Sequence, residues 1–173
     1  MARSQYIIQF GGLSIGEHEF EFEVKGPFFE QFKDSEIQQA DVFVKLLLIK
    51  QNNLLQMEFD IEGTVALGCD RCLKDFDYPI EAHEKLVLKH GDPAESNDEI
   101  LVLKEGNDEA DISQYLYEYI TLAIPTRRVP CEDFEDGAEC DTETLNKLEE
   151  NRIDEEPANP QWEQLKKIKF SNN

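Results

Sequence analysis

The stretch Leu55-Gln-Met-Glu-Phe-Asp-Ile-Glu-Gly-Thr-Val-Ala-Leu67 alternates between two chemistries: Leu55, Met57, Phe59, Ile61, Val65 and Leu67 against Gln56, Glu58, Asp60, Glu62 and Thr64. Successive side chains of a strand point to opposite faces, so a period of two predicts a long strand with one buried side. The pattern continues in both directions. Upstream, Phe20, Phe22 and Val24 alternate with Glu19, Glu21 and Glu23; downstream, Phe76, Tyr78, Ile80, Ala82, Leu86 and Leu88 run across Asp77, Glu81 and Lys85. Val42 to Ile49 is apolar at both parities apart from Lys45, which predicts a central strand buried on both faces. Gln51-Asn52-Asn53 predicts the hairpin turn between the two, because Asn tolerates left-handed backbone.

Other periods fill the rest of the chain. Gly26-Pro27-Phe28-Phe29-Glu30-Gln31-Phe32 predicts a helical turn that tucks its Phe side chains under the sheet. A polar loop from His90 to Asn97 leads to a strand over Glu99 to Leu103. Ile112, Tyr115, Leu116, Tyr119, Ile120 and Ala123 share one helical face, with Asp111 and Gln114 placed as a capping box and Pro125 as the stop. After Pro160, Trp162, Leu165, Lys166, Ile168 and Lys169 predict a short basic amphipathic helix. The expected fold is α+β: a curved, mainly antiparallel sheet of about five to seven strands, open or closing toward a barrel, with one packed helix. The organisation follows as one α+β domain over 1–130 and an acidic C-terminal extension over 131–173 that ends in the basic helix.

With 173 residues, 40% hydrophobic and 32% charged, the chain can bury one core of ordinary size. Its 38 acidic residues against 17 basic ones give a formal charge of -21, which opposes general coating of a phosphate backbone. Residues 131 to 160 hold twelve acids against Lys147 and Arg152. Such a block is either a solvated surface or an arm for a basic partner. Met1 to Phe10 has no apolar signal-type core, and no run approaches the roughly 20 apolar residues of a membrane helix, so a cytoplasmic protein without a membrane contact is expected. In that compartment the four cysteines are thiols or metal ligands rather than disulfides.

Cys69-Asp70-Arg71-Cys72 falls where one long strand ends and the next begins. Two thiols this close on a tight turn can grip one metal ion, which makes half a zinc site. Cys131 and Cys140 are the remaining donors, set wider apart than the two to four residues of a compact knuckle. Three readings stay open: a four-cysteine zinc site, a redox-active Cys69/Cys72 pair, and buried structural thiols. If Cys131 approaches the turn, Arg71, Lys74, Arg127 and Arg128 converge on a local positive spot suited to ribose-phosphate or to a partner; otherwise they are dispersed solvating charge.

Handles for other chemistry are missing. His18, His83 and His90 stand alone, and there is no Gly-x-Ser-x-Gly, Walker or Gly-x-Gly-x-x-Gly pattern. The residues point to no enzyme and to no small-molecule substrate.

Taken in order, Gly63-Thr-Val-Ala-Leu-Gly-Cys69-Asp-Arg-Cys72-Leu73, then Phe76-Asp-Tyr-Pro79, Asp111-Ile112, Tyr119-Ile-Thr-Leu-Ala-Ile-Pro125, Cys131 and Asn159-Pro-Gln-Trp162-Glu-Gln-Leu165-Lys166-Lys167 resemble the bacterial YceD family of large ribosomal RNA subunit accumulation proteins. The resemblance implies a small non-enzymatic factor in ribosome biogenesis, needed for accumulation or processing of large-subunit (23S) ribosomal RNA. Many members carry a compact second cysteine pair, where this chain has Cys131-Glu-Asp-Phe-Glu-Asp-Gly-Ala-Glu-Cys140. Combined with the charge of -21, the resemblance implies a partner that is a small basic ribosomal protein or a large-subunit precursor, with direct RNA contact at most local. The rival from another class is a zinc-stabilised protein-interaction module unrelated to ribosomes.

Overall fold

The computed structural model describes residues 5–97, 99–133 and 139–152. The chain runs β1 (Ile7–Gln9), β2 (Gly16–Lys25), α1 (Gly26–Phe29), β3 (Gln39–Lys50), β4 (Leu55–Gly68), β5 (Asp75–His90), a 3-10 turn (Pro93–Glu95), β6 (Ile100–Leu103), β7 (Glu109–Asp111), α2 (Ser113–Leu122), α3 (Pro130–Asp133) and α4 (Thr142–Glu150). The basic amphipathic helix expected around Trp162, Leu165, Lys166, Ile168 and Lys169 lies outside the described residues.

The fold is α+β. Five strands form one sheet in the order β2-β3-β4-β5-β6, and β1 pairs with β7 in a separate two-stranded ribbon. The large sheet is a meander up to β5, because each hairpin returns the chain antiparallel to itself. β6 is parallel to β5, reached through the 3-10 turn and a reversal in which the Asn97 side chain accepts from the amides of Glu99 and Ile100. The sheet does not close into a barrel: β2 and β6 are its two edges.

The alternation in β4 does what its sequence predicts. Met57, Phe59, Ile61 and Val65 are all within 1% of full burial, while Asp60, Glu62 and Thr64 face out. α2 covers this buried side: Leu116 and Ile120 are fully enclosed, and the Tyr119 ring meets Phe59 edge-on at 5.3 Å between centroids. Phe28 and Phe29 of α1 fill the same core, in line with the turn expected there. At Gly63 of β4 a β-carbon would strike the backbone of Asp41 and Val42, so glycine lets β3 and β4 close where Gly63 faces Val42.

Two local expectations change. Val42, Val44, Leu46 and Leu48 are buried, but Phe43 and Lys45 of the opposite parity are exposed and Leu47 and Ile49 only half-buried. β3 is interior to the sheet, and among the described residues α2 and the β1/β7 residues supply apolar cover to one of its faces alone. The α2 capping box also gives way to a shorter device: Asp111 accepts from the amide and hydroxyl of Ser113, and Gln114 reaches forward to Glu118.

Candidate metal centre

The β4–β5 turn is built around sulfur. The amide of Cys69 donates to the Lys74 carbonyl at 2.9 Å and that of Leu73 to the Cys69 carbonyl at 3.0 Å, so the chain closes back on itself within six residues. Leu73 takes a left-handed φ of 63°, a conformation that costs a branched side chain roughly 1–2 kcal/mol, and its side chain points to solvent. Both thiols therefore face inward: Cys69 is 0% and Cys72 3% exposed. The Arg71 amide donates to the Cys69 sulfur at 3.4 Å.

The other two cysteines arrive along a path set by Asp70. Its amide donates to the Arg128 carbonyl at 2.8 Å, and its carboxylate accepts from the Arg128 amide at 2.8 Å. This reciprocal pair guides the segment between α2 and α3, so that Val129 packs on Cys69 and Cys72 and α3 presents Cys131. Cys140 precedes Asp141, whose carboxylate caps α4 by accepting from the Thr144 amide at 2.7 Å. Helix α4 then lays Leu145 against the same small cluster.

The result is a four-sulfur centre. The sulfurs of Cys69, Cys72, Cys131 and Cys140 all lie within 4.8 Å of one another, and these four form a ligand cluster that no other His, Cys, Asp or Glu group among the described residues matches. A tetrahedral zinc with bonds of about 2.3 Å separates its sulfurs by about 3.8 Å, so the donor set fits that ion in number, kind and spacing. In the structure Cys131 and Cys140 are joined as a disulfide, with Cα atoms 5.4 Å apart, and Cys69 and Cys72 are free thiols. Metal occupancy requires that pair in its reduced form. The nine-position separation of Cys131 and Cys140 does not keep them apart, because α3 and the α4 cap bring the ends of the loop together.

Electrostatics at Cys72 suit a thiolate. Burial pushes its thiol up, but the amides of Asp141 and Lys74 and the Cys69 thiol donate to it and hold it below the ordinary range. Burial pushes Tyr78, close to the centre, up to about 12, helped by the nearby Asp70 carboxylate. The turn therefore stabilises negative sulfur with amides, which is what a cation-binding site needs before the cation arrives.

The four basic residues singled out in the sequence do surround this centre, each with an acidic or carbonyl partner. Arg71 and Arg127 both reach the Glu132 carboxylate. Arg128 spans Glu36 at 2.9 Å and Asp70 at 3.2 Å, and Lys74 donates to the Glu139 carbonyl while lying 5.2 Å from the Phe76 ring centroid. The histidines stay away: His18 bonds the Ser14 carbonyl, His90 the Asn107 carbonyl, and His83 sits between Asp60 and Glu81. Asp70 and Asp141 are the positioning residues that pattern reading missed. For Asp141 a signal was present, since Asp141-Thr-Glu-Thr144 followed by Leu145 and Leu148 has the form of a helix N-terminus.

The family model of the large ribosomal RNA subunit accumulation protein YceD matches residues 57–169, well over half of the chain. The chain belongs to the YceD family. That match starts inside β4 and takes in the cysteine turn, α2 and both later cysteines, so all four sulfurs lie within the YceD region. The description of the YceD family gives the chain a ribosome-related role in accumulation of the large-subunit RNA. No curated protein and no solved structure gives a match. Among the described residues no helix is long and apolar enough to cross a membrane.

Proposed function

We propose that this protein is a non-enzymatic assembly factor of the large ribosomal subunit, acting in the cytoplasm by binding a small basic ribosomal protein or a pre-ribosomal particle so that 23S ribosomal RNA accumulates. The observation that carries this reading is the YceD family match over residues 57–169. The formal charge of -21 supports a basic protein as the nearest contact, because an acidic surface attracts and shields such a protein before it meets RNA. RNA contact is then restricted to the neighbourhood of Arg71, Lys74, Arg127 and Arg128.

In the same reading the domain spans 1–130, and the four cysteines bind one zinc ion that fastens the acidic 131–173 extension to the β4–β5 turn. Zinc here is structural, since a site with four protein sulfurs keeps no open position for a substrate. A second reading rests on the sulfur cluster alone: a zinc-stabilised interaction module unrelated to ribosomes.

Sucrose-gradient fractionation of gently lysed cells, with mass spectrometry of co-purifying proteins, separates the two. Enrichment with large-subunit precursors or with a free basic ribosomal protein is the expected result. Confinement to the top of the gradient without such partners overturns the ribosomal reading. Metal analysis of protein purified under reducing conditions is expected to return about one zinc per chain.

A further inference from the structure

Among the described residues, the core uses one side of the large sheet and leaves the other bare. On that bare side the strand register sets Glu23, Phe43, Glu62 and Glu81 shoulder to shoulder across β2, β3, β4 and β5. Phe43 is 37% exposed, and the Lys45 ammonium lies 5.8 Å from its ring centroid. Leu47 and Ile49 continue the apolar line along β3 and are half-buried. Glu62 and Glu81 are directly opposed across two paired strands, an arrangement of like charges that weakens a sheet. The face already draws cations from its own strands, since Glu23 holds Lys25 at 2.9 Å and Glu81 lies 3.4 Å from His83, and a part-exposed aromatic ring among such carboxylates suits a further one.

We propose that this uncovered face docks a lysine- and arginine-rich protein segment, with one cationic side chain seated over Phe43 among Glu23, Glu62 and Glu81. The proposal deepens the binding reading above and rests on it for the class of partner. Lys45 already shows that the ring accepts an ammonium from its own strand; a planar guanidinium covers a ring better and can also pair with a carboxylate. The half-buried Leu47 and Ile49 give the aliphatic stems of such a segment apolar surface to lie on. Charge complementarity selects against the other occupants. Phosphates of RNA meet a field of their own sign, and a second copy of the chain brings a glutamate row against a glutamate row.

The test measures fluorescence anisotropy of a labelled Arg- and Lys-rich peptide with the intact chain at physiological ionic strength. Phe43→Ser and the double change Glu62→Gln with Glu81→Gln are each expected to weaken binding about tenfold. A control pair on α4, Glu143→Gln with Glu149→Gln, removes the same charge elsewhere and is expected to stay within about twofold. All of these side chains are exposed or nearly so, and unchanged thermal unfolding verifies that the variants fold.

Equal losses from the two double variants overturn the proposal, as they mean general charge attraction. So does an RNA oligonucleotide that competes through Phe43, or a dimer in sedimentation equilibrium that Phe43→Ser dissolves. Peptide affinity that rises when Lys166, Lys167 and Lys169 are changed to Gln also overturns it, because the chain's own segment then fills the face. Peptide binding through Phe43 with no ribosomal partner on gradients fails the ribosomal reading and keeps the docking face. Co-sedimentation with precursors and a peptide indifferent to Phe43 fails the docking face alone.

Discussion

Asp70 and Arg128, 58 positions apart, hold each other by two backbone-directed hydrogen bonds, one from the Asp70 amide and one into the Asp70 carboxylate. The two bonds fix the cysteine turn against the segment that leads from α2 to α3. Neither residue supplies a sulfur. Together they set where Cys131 can go.

Replacing Asp70 by Ala keeps the amide bond and removes the carboxylate contacts, so the sheet should fold while the path to Cys131 loosens. Loss of a group that orients metal ligands typically weakens affinity 10–100-fold, and a drop of about that size is expected for zinc in the reduced protein. Competition with a chromophoric chelator measures it. Asp70→Ala with unchanged zinc affinity removes the positioning role.

Stripping the metal should act locally. In reduced protein treated with a chelator, amides from Arg128 to Cys131 and in α4 are expected to exchange faster, because the small Cys69/Cys72/Val129 cluster is what holds them. Amides of β3 and β4 belong to the main core and should keep their protection. Hydrogen exchange followed by mass spectrometry reads both regions in one experiment, and uniform deprotection contradicts the two-cluster arrangement.

Much of this fold was legible because a strand with one wet face writes its period directly into the sequence. β2, β4 and β5 are long enough for the alternation to be unmistakable, whereas β1 and β7 are three residues each, too short to show a period. Val42 to Ile49 read as doubly buried because composition records hydrophobicity and not cover: Phe43, Leu47 and Ile49 are apolar, yet the helices and the β1/β7 ribbon lie on the other side. The metal centre was half legible. Cys69 and Cys72 declare themselves by spacing, but the approach of Cys131 and Cys140 depends on Asp70 with Arg128 and on the Asp141 cap, contacts that a linear pattern does not encode.

His83 stands between Asp60 at 2.6 Å and Glu81 at 3.4 Å, and hydrogen bonds from its ring to Asp60 first and Glu81 second raise its pKa above the ordinary 6.5. A pKa raised on folding stabilises the protein fully below the unfolded value and loses that contribution as pH climbs through the folded one. His83→Gln should therefore lower the urea midpoint more at acid pH, below the unfolded value, than at alkaline pH above the folded one. Equal shifts at both pH values refute the charge-dependent role, and titration of the ring by NMR gives the direction independently.

Tyr119 carries a hydroxyl that is buried with no hydrogen-bond partner among the described residues, and burial drives its pKa upward. An unmade buried hydrogen bond costs about 1–3 kcal/mol, so removing the oxygen relieves a penalty while the ring keeps its contact with Phe59. Tyr119→Phe is expected to leave thermal stability unchanged or to raise it by up to about that amount. A loss of stability shows that the hydroxyl has a partner.

β2 ends the large sheet, and a terminal strand of ten residues is a template for further strands. Glu17, Glu19, Glu21 and Glu23 along it make stacking of identical molecules electrostatically unfavourable at neutral pH. The same carboxylates that colour the surface thus serve as a guard against fibrous self-assembly, and it is a guard with an acid limit: once they are protonated, the charges left on β2 are the cations His18 and Lys25 at its two ends, with the half-buried Phe20 and Phe22 between them.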